Sequence, residues 1–286
     1  MNSKAGTLIE VGHGRAKEEQ SCLAGHKAAE IASRGVATYT VSAALVFASV
    51  SYDLEEVLEG VRGIFGDSPI FGCSTAGEIC DGSSDKSVVV VALASPCLSV
   101  HVGLGRNVSA DWRKALNEAI EGPQLSPYFL DSASDVWNEM AQMGETAFAM
   151  LFAPGNTQYY DSQGYEILDE LNRRSNGRLP TFGGCSADDW RMETNYVFHD
   201  GRVHADSLVV AVFRTSLRFG MSMAHGFRPG LSGCSATNVS GHEVLELDFK
   251  PADEIYSRMS GTELQSLQAE HLTLTTGKPV GILESH

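Results

Sequence analysis

The sequence predicts an α+β fold in which two tandem strand-helix-strand-strand-strand repeats form mixed sheets flanked by helices, and three observations lead there. The first is duplication. AALVFASVSYD, a helical stretch, PIFGCSTAGEI, SVVVVALASP and LSVHVGLG are followed in the same order by AFAMLFAPGN, a helical stretch, PTFGGCSADDW, SLVVAVFRTS and LRFGMSMAHG. A fixed succession of strand, helix, Pro-x-Phe-Gly, Cys-Ser and two further strands marks an internal repeat. Second, the runs 88–94 and 208–213 are apolar at every position, as central strands covered on both faces require. Third, the strands that follow them alternate. Leu98, Val100, Val102 and Leu104 share one face opposite Ser99, His101 and Gly103, and Leu217, Phe219, Met221 and Met223 lie opposite Arg218, Gly220, Ser222 and Ala224.

Taken along the chain, residues 8–11 read as a short apolar strand and 22–34 as a helix that stops before Gly35. A strand follows over 44–50. Asp53 with Glu56 three residues on has the form of a capping box, and Leu54, Val57, Leu58, Val61 and Phe65 recur at helical spacing as one buried face. Pro69 opens the strand that leads to Cys73. Between the copies, 110–120 and 134–143 are helical in composition, are separated by the breaker-rich GPQLSPYF, and are expected to cover a sheet. In the second copy Asp161 or Ser162 caps a helix with the stripe Tyr165, Leu168 and Leu171, which Asn176-Gly177 closes before Pro180. From Gly230 the composition changes to a loop, a strand and a helix. The expected organisation is therefore a duplicated domain over 1–229 and a segment over 230–286 that is small for a core of its own and either packs on that body or begins a further domain.

The 286 residues are 43% hydrophobic and 20% charged, enough to bury a substantial core. With 21 Lys and Arg against 36 Asp and Glu the formal charge is −15, which repels phosphate backbones and anionic lipid heads and argues against nucleic acid as a partner. No run approaches the roughly 18 apolar residues of a membrane span, and the first residues lack the apolar core of a secretion signal, so a cytoplasmic protein without membrane insertion is expected. Cys22, Cys73, Cys80, Cys97, Cys185 and Cys234 form no CxxC pair, which suits reduced thiols.

The candidate ligand site is the pair of strand-exit turns. Gly72, Cys73, Ser74 and Thr75 place a thiol and two hydroxyls on a backbone that can expose consecutive N–H groups to a carboxylate or phosphate oxygen. Gly184, Cys185, Ser186, Asp188 and Asp189 offer two carboxylates in the second copy, which suit an amino group or a helix cap. Together the turns would recognise a zwitterion such as an amino acid, provided they meet in space. The plain alternative is that both are tight turns whose cysteines fill small apolar holes. A thiol-dependent hydrolase or transferase would use Cys73 or Cys185 as nucleophile, but no histidine lies within twenty residues of Cys73 to activate it. His225, in MAHGFRP, follows an apolar strand and precedes a glycine, so it is the residue to which an axial haem ligand would be assigned, and His101 has part of the same claim.

These residues give a resemblance. PIFGCSTAGEI, then PTFGGCSADD, then AHGFRP followed by ELDFKPADEIY resemble the FIST family of sensory domains, over about residues 8–260. The resemblance implies a non-catalytic, small-ligand-sensing role in bacterial signal transduction, with amino acids or other small carboxylates as ligands. It also implies an alternative, a haem-based nitric-oxide sensor that regulates a histidine kinase or a cyclic-di-GMP enzyme, with His225 as the ligating position. Family members usually continue for about another hundred residues, whereas this chain stops at TGKPVGILESH; output is therefore expected to pass through a partner.

Overall fold

A computed structural model describes residues 8–129, 134–222, 233–240, 243–261 and 263. The chain divides into two units, Met1–Gly220 and Met221–His286. The first begins β1 (Glu10–Ala16), α1 (Ser21–Ser33), β2 (Val41–Ser49), α2 (Leu54–Phe65) and β3 (Ile70–Thr75), followed by a short hairpin, β4 (Glu78–Ile79) and β5 (Ser83–Ser84). It continues with β6 (Val88–Ala94), β7 (Leu98–Arg106), α3 (Val108–Ile120), a 3-10 turn (Ser126–Tyr128) and α4 (Ser134–Met143). The second copy runs through β8 (Thr146–Pro154), α5 (Gly164–Arg174), β9 (Thr181–Ser186), β10 (Tyr196–His199), β11 (Arg202–Ala205) and β12 (Ser207–Thr215).

The strands form two mixed sheets, ordered β1-β6-β2-β3-β10-β11 and β7-β12-β8-β9. In each, one parallel pair, β2 with β3 or β8 with β9, sits among antiparallel neighbours. Period-two alternation explains the uniformly apolar runs. Along β12, Leu208, Val210 and Val212 face a core closed by α3, α4 and α5, while Val209, Ala211 and Phe213 face the other sheet. Along β2, Ala44, Val46 and Ala48 meet α1 and α2, while Ala43 and Leu45 enter the same inter-sheet core. The result is four layers, helix, sheet, sheet and helix. Phe71, Phe152 and Phe213 fill the centre, each burial contributing about 1.5–3 kcal/mol.

The small face of β7 is used for close approach. A Cβ on Gly103 or Gly105 would stand 1.8 or 1.9 Å from the carbonyl oxygens of Ala119 and Ala115 in α3. Gly12 and Gly14 of β1 meet Ala32 and Ala28 of α1 in the same way, at 1.8 and 2.2 Å. Val11-Gly12-His13-Gly14-Arg15 and Val102-Gly103-Leu104-Gly105-Arg106 are therefore counterparts. β1 pairs with β6 in the first sheet as β7 pairs with β12 in the second, so β7 stands to the second copy as β1 stands to the first.

That pairing accounts for one departure from expectation. The alternating segment 217–224 forms no strand over its described part, 217–222. Both edges of β12 are already taken, by β7 and β8, so no edge of that strand is left for it. A second departure is the cap of α5, which is Gln163 rather than Asp161 or Ser162; Ser162 Oγ nonetheless accepts the Gly164 N–H at 3.2 Å. Asp53 caps α2 as expected, accepting the Glu56 N–H at 3.2 Å. In the second unit β13 (Ala236–Ser240), β14 (Glu243–Leu247) and β15 (Lys250–Pro251) form a small antiparallel sheet followed by α6 (Ala252–Ser260), with Leu247 and Ile255 buried. Among the described residues no helix is long and apolar enough to cross a membrane.

Candidate functional site

Register fixes which residues of the two turns correspond. β2 and β3 pair with Val46 opposite Gly72, and β8 and β9 with Leu151 opposite Gly183. Gly72 and Gly183 are equivalent, and each is forced: φ is 151° and 158°, and a Cβ would lie 1.9 or 1.8 Å from the carbonyl oxygen of Val46 or Leu151. Cys73 then corresponds to Gly184, and Ser74 to Cys185. The two cysteines are thus one residue out of step, which turns them to opposite faces of their strands. The extra glycine in FGGCS, against FGCS, is the signal of that slip.

Cys73 faces the inter-sheet core and is 4% exposed. Burial, and then the neighbouring Cys185 thiol, push its own thiol up to about 12, so it is a neutral packing group at physiological pH. Cys185 is exposed on the outer strand β9, with Ser162 Oγ 3.4 Å from its sulfur, beside the first turn of α5. His199 and His204 lie on the hairpin β10–β11, where His199 Nε2 is 3.3 Å from the Val102 carbonyl oxygen. His225 lies outside the described residues.

The two turns do meet. The Ala187 N–H donates to the Ser74 carbonyl at 2.9 Å, and Ser74 Oγ donates back to the Ala187 carbonyl at 2.6 Å. The Tyr196 N–H donates to Ser74 Oγ at 2.8 Å, and the Asp189 N–H to the Thr75 carbonyl at 3.2 Å. Ser49 Oγ donates to the Asp189 carboxylate at 2.6 Å. Thr75 is bound to Glu78, and Ser186 to Asn195 at 2.8 Å. Asp188, buried, accepts the N–H groups of Met192, Glu193 and Thr194 at 3.0, 2.7 and 3.1 Å. Ser74, Ser186, Asp188 and Asp189 therefore bolt the copies together and shape the following loop. In that loop Asp189, Trp190 and Met192 all have left-handed φ, a conformation held only where its surroundings over-determine it, and Trp190 is 61% exposed.

The shaped loop borders a cleft of about 530 Å³ at the seam of the copies. Tyr52, Asp53 and Glu55 line it from the first copy, and Arg191, Thr194 and Tyr196 from the second. Burial raises the Tyr52 phenol above its usual range. Arg191 and the carboxylates of Asp53, Glu55 and Glu193 give the cleft both signs of charge, Asp53 also capping α2. Sequence reasoning missed these residues because they lie beyond the turns, on segments brought together only by the joining of the copies. A second cavity, of about 580 Å³, is lined by His101, Tyr128, Glu139 and Arg214. Arg214 is paired with Glu145 at 2.5 Å and Glu139 at 3.3 Å, and burial, then Arg214, disfavours charge on His101.

Fold and joined exits define a duplicated four-layer α+β domain with a polar cleft at the seam. The chain belongs to the FIST N domain family, whose sequence model matches residues 42–250, and FIST domains are sensory domains, generally of signal transduction. An uncharacterised protein of Methanocaldococcus jannaschii is 35% identical over 94 residues, 33% of this chain and 18% of that one, so the match spans less than a fifth of the relative's length. Among solved structures, cyanuric acid hydrolase from A. caulinodans covers 73% of this chain and 72% of its own at 9% identity, with a TM-score of 0.35. A second cyanuric acid hydrolase structure covers 75% and 71% at 10% identity, with the same TM-score. These two likenesses are too distant to speak for the chemistry of the chain.

Proposed function

We propose that this chain is a cytoplasmic, non-enzymatic sensory domain of bacterial signal transduction. It binds an amino acid or other small carboxylate in the seam cleft and acts through a partner such as a histidine kinase or a cyclic-di-GMP enzyme. The observation that carries the proposal is that both copies line one cleft directly beside the hydrogen bonds that join them. Arg191 suits a ligand carboxylate, while Glu55 and Glu193 suit an amino group. The ligand-contacting role thus passes from the turn residues, which are engaged in joining the copies, to the cleft beside them. A ligand held by both copies would favour one arrangement of the seam over another, and coupling of about 1–3 kcal/mol is enough for a switch.

The test is a thermal-shift screen of amino acids and small carboxylates. A hundredfold excess over the dissociation constant stabilises the native state by about 2.7 kcal/mol, and Arg191→Ala should remove most of that shift. A ligand whose shift survives in Arg191→Ala and in Glu193→Gln would locate the site elsewhere. Thiol chemistry has Cys185 as its accessible candidate, since Cys73 is buried. Activity that survives Cys185→Ser would remove that reading, and absence of a Soret band after haem addition would remove the haem one.

A further inference from the structure

We propose that His13, Cys80 and Asp81 form a divalent-cation site of the zinc class that fastens the hairpin β4–β5 to the outer strand β1. One imidazole nitrogen, the Cys80 sulfur and one carboxylate oxygen all lie within 4.8 Å of one another, and His13 Nε2 is 3.0 Å from Asp81 Oδ2. A tetrahedral ion with bonds of about 2.0–2.3 Å sets its donors about 3.3–3.8 Å apart, so small side-chain rotations close this cluster on a metal. Nitrogen, thiolate sulfur and one carboxylate together select zinc, cobalt or nickel over calcium or magnesium, which prefer all-oxygen shells. Three protein donors leave a fourth position for water or a ligand.

Two features point the same way. In the repeat, Leu104 of β7 occupies the position of His13 and is buried between the sheets, so the first copy places a metal-binding imidazole where the second places a core residue. The turn that presents Cys80 and Asp81 is also pre-shaped. Asp81 and Gly82 have φ of 51° and 124°, the Cys80 N–H donates to the Gly82 carbonyl at 2.9 Å, and Arg15 Nη1 reaches the same carbonyl at 3.4 Å. Its counterpart hairpin, β10–β11, is fastened by pairing with β3, whereas among the described residues β4 and β5 pair only with each other. Binding exchanges the Cys80 proton for the metal: the thiol S–H breaks, the S–metal bond forms and one proton is released to solvent.

The probe is cobalt(II) titrated into the reduced 286-residue chain, followed by zinc. A thiolate-to-cobalt charge-transfer band that saturates at one ion per chain and is displaced by zinc is the expected result. Cys80→Ser should abolish the band, and Cys185→Ser and Cys22→Ser should keep it. His13→Ala, a change at a half-exposed side chain, should weaken cobalt binding at least about tenfold, since even outer partners of a metal site are worth about 10–100-fold. No band in the wild type, a band that survives Cys80→Ser, or unchanged affinity in His13→Ala would overturn the proposal. Far-UV circular dichroism of each metal-free variant separates lost ligation from lost folding.

Discussion

Cys73 and Cys185 differ by one step of register, and that step decides their chemistry. On one side the thiol is enclosed by Phe71, Phe152 and neighbouring apolar groups and stays protonated; on the other it stands at the surface beside Ser162. Labelling with a maleimide at pH 8 should therefore modify Cys185 in the native protein and leave Cys73 untouched until the protein is unfolded, as read by peptide mass spectrometry. Native labelling of Cys73 would mean that the inter-sheet core opens on the timescale of the reaction. Of the predicted ligand residues, Gly72 keeps its conformational role, while Ser74 and Asp188 turn out to hold the copies and the loop. Residue type identified a special turn. Only the pairing of strands revealed that its polar groups are already engaged with one another.

At the scale of elements, helices with strong periodicity were legible in the neighbouring residues. The stripe of α2 and its cap at Asp53 are local patterns, and local patterns survive folding. α5 carries a further local feature: Arg173, and then Arg174, hold the Glu170 carboxyl down at about 2. A carboxyl lowered by folded-state partners supports the fold fully above its ordinary value of 4.5 and loses that support as the pH falls towards about 2. Since Arg173 lies largely in solvent, screening reduces the contribution to about 1 kcal/mol. Glu170→Gln should thus lower stability by about 1 kcal/mol at pH 7 and have no effect near pH 2, measured by urea unfolding at both. An equal loss at the two values would assign the effect to packing. The strand expected over 217–224 fails in its described part, 217–222, for a reason invisible at this scale: alternation describes a face, but pairing beside β12 also needs an edge of β12 not already taken by β7 or β8.

For the whole molecule, the pairing of one copy's hairpin with the other copy's sheet is the organising fact. β7 opens the second sheet as β1 opens the first, and β10–β11 leave the second copy's sheet to pair with β3 and extend the first. The first sheet holds strands of both copies, so the two should unfold together. Amides of β2 and β12 are expected to exchange with the same global free energy, and a gap of more than about 1 kcal/mol would show that the copies open separately.

The VGHGR and VGLGR segments marked β1 and β7 as counterparts in the sequence, and the extra glycine before Cys185 marked the slip of register, but the meaning of both depends on partners far away in the chain. By itself the sequence determined the duplication, the helices with their caps, the apolar central strands and the special turns, because each is written in neighbouring residues through spacing and backbone preference. Only the tertiary structure decided which strand completes which sheet, which cysteine is buried and where the cleft opens, because register and edge pairing are settled by which long-range hydrogen bonds can form together.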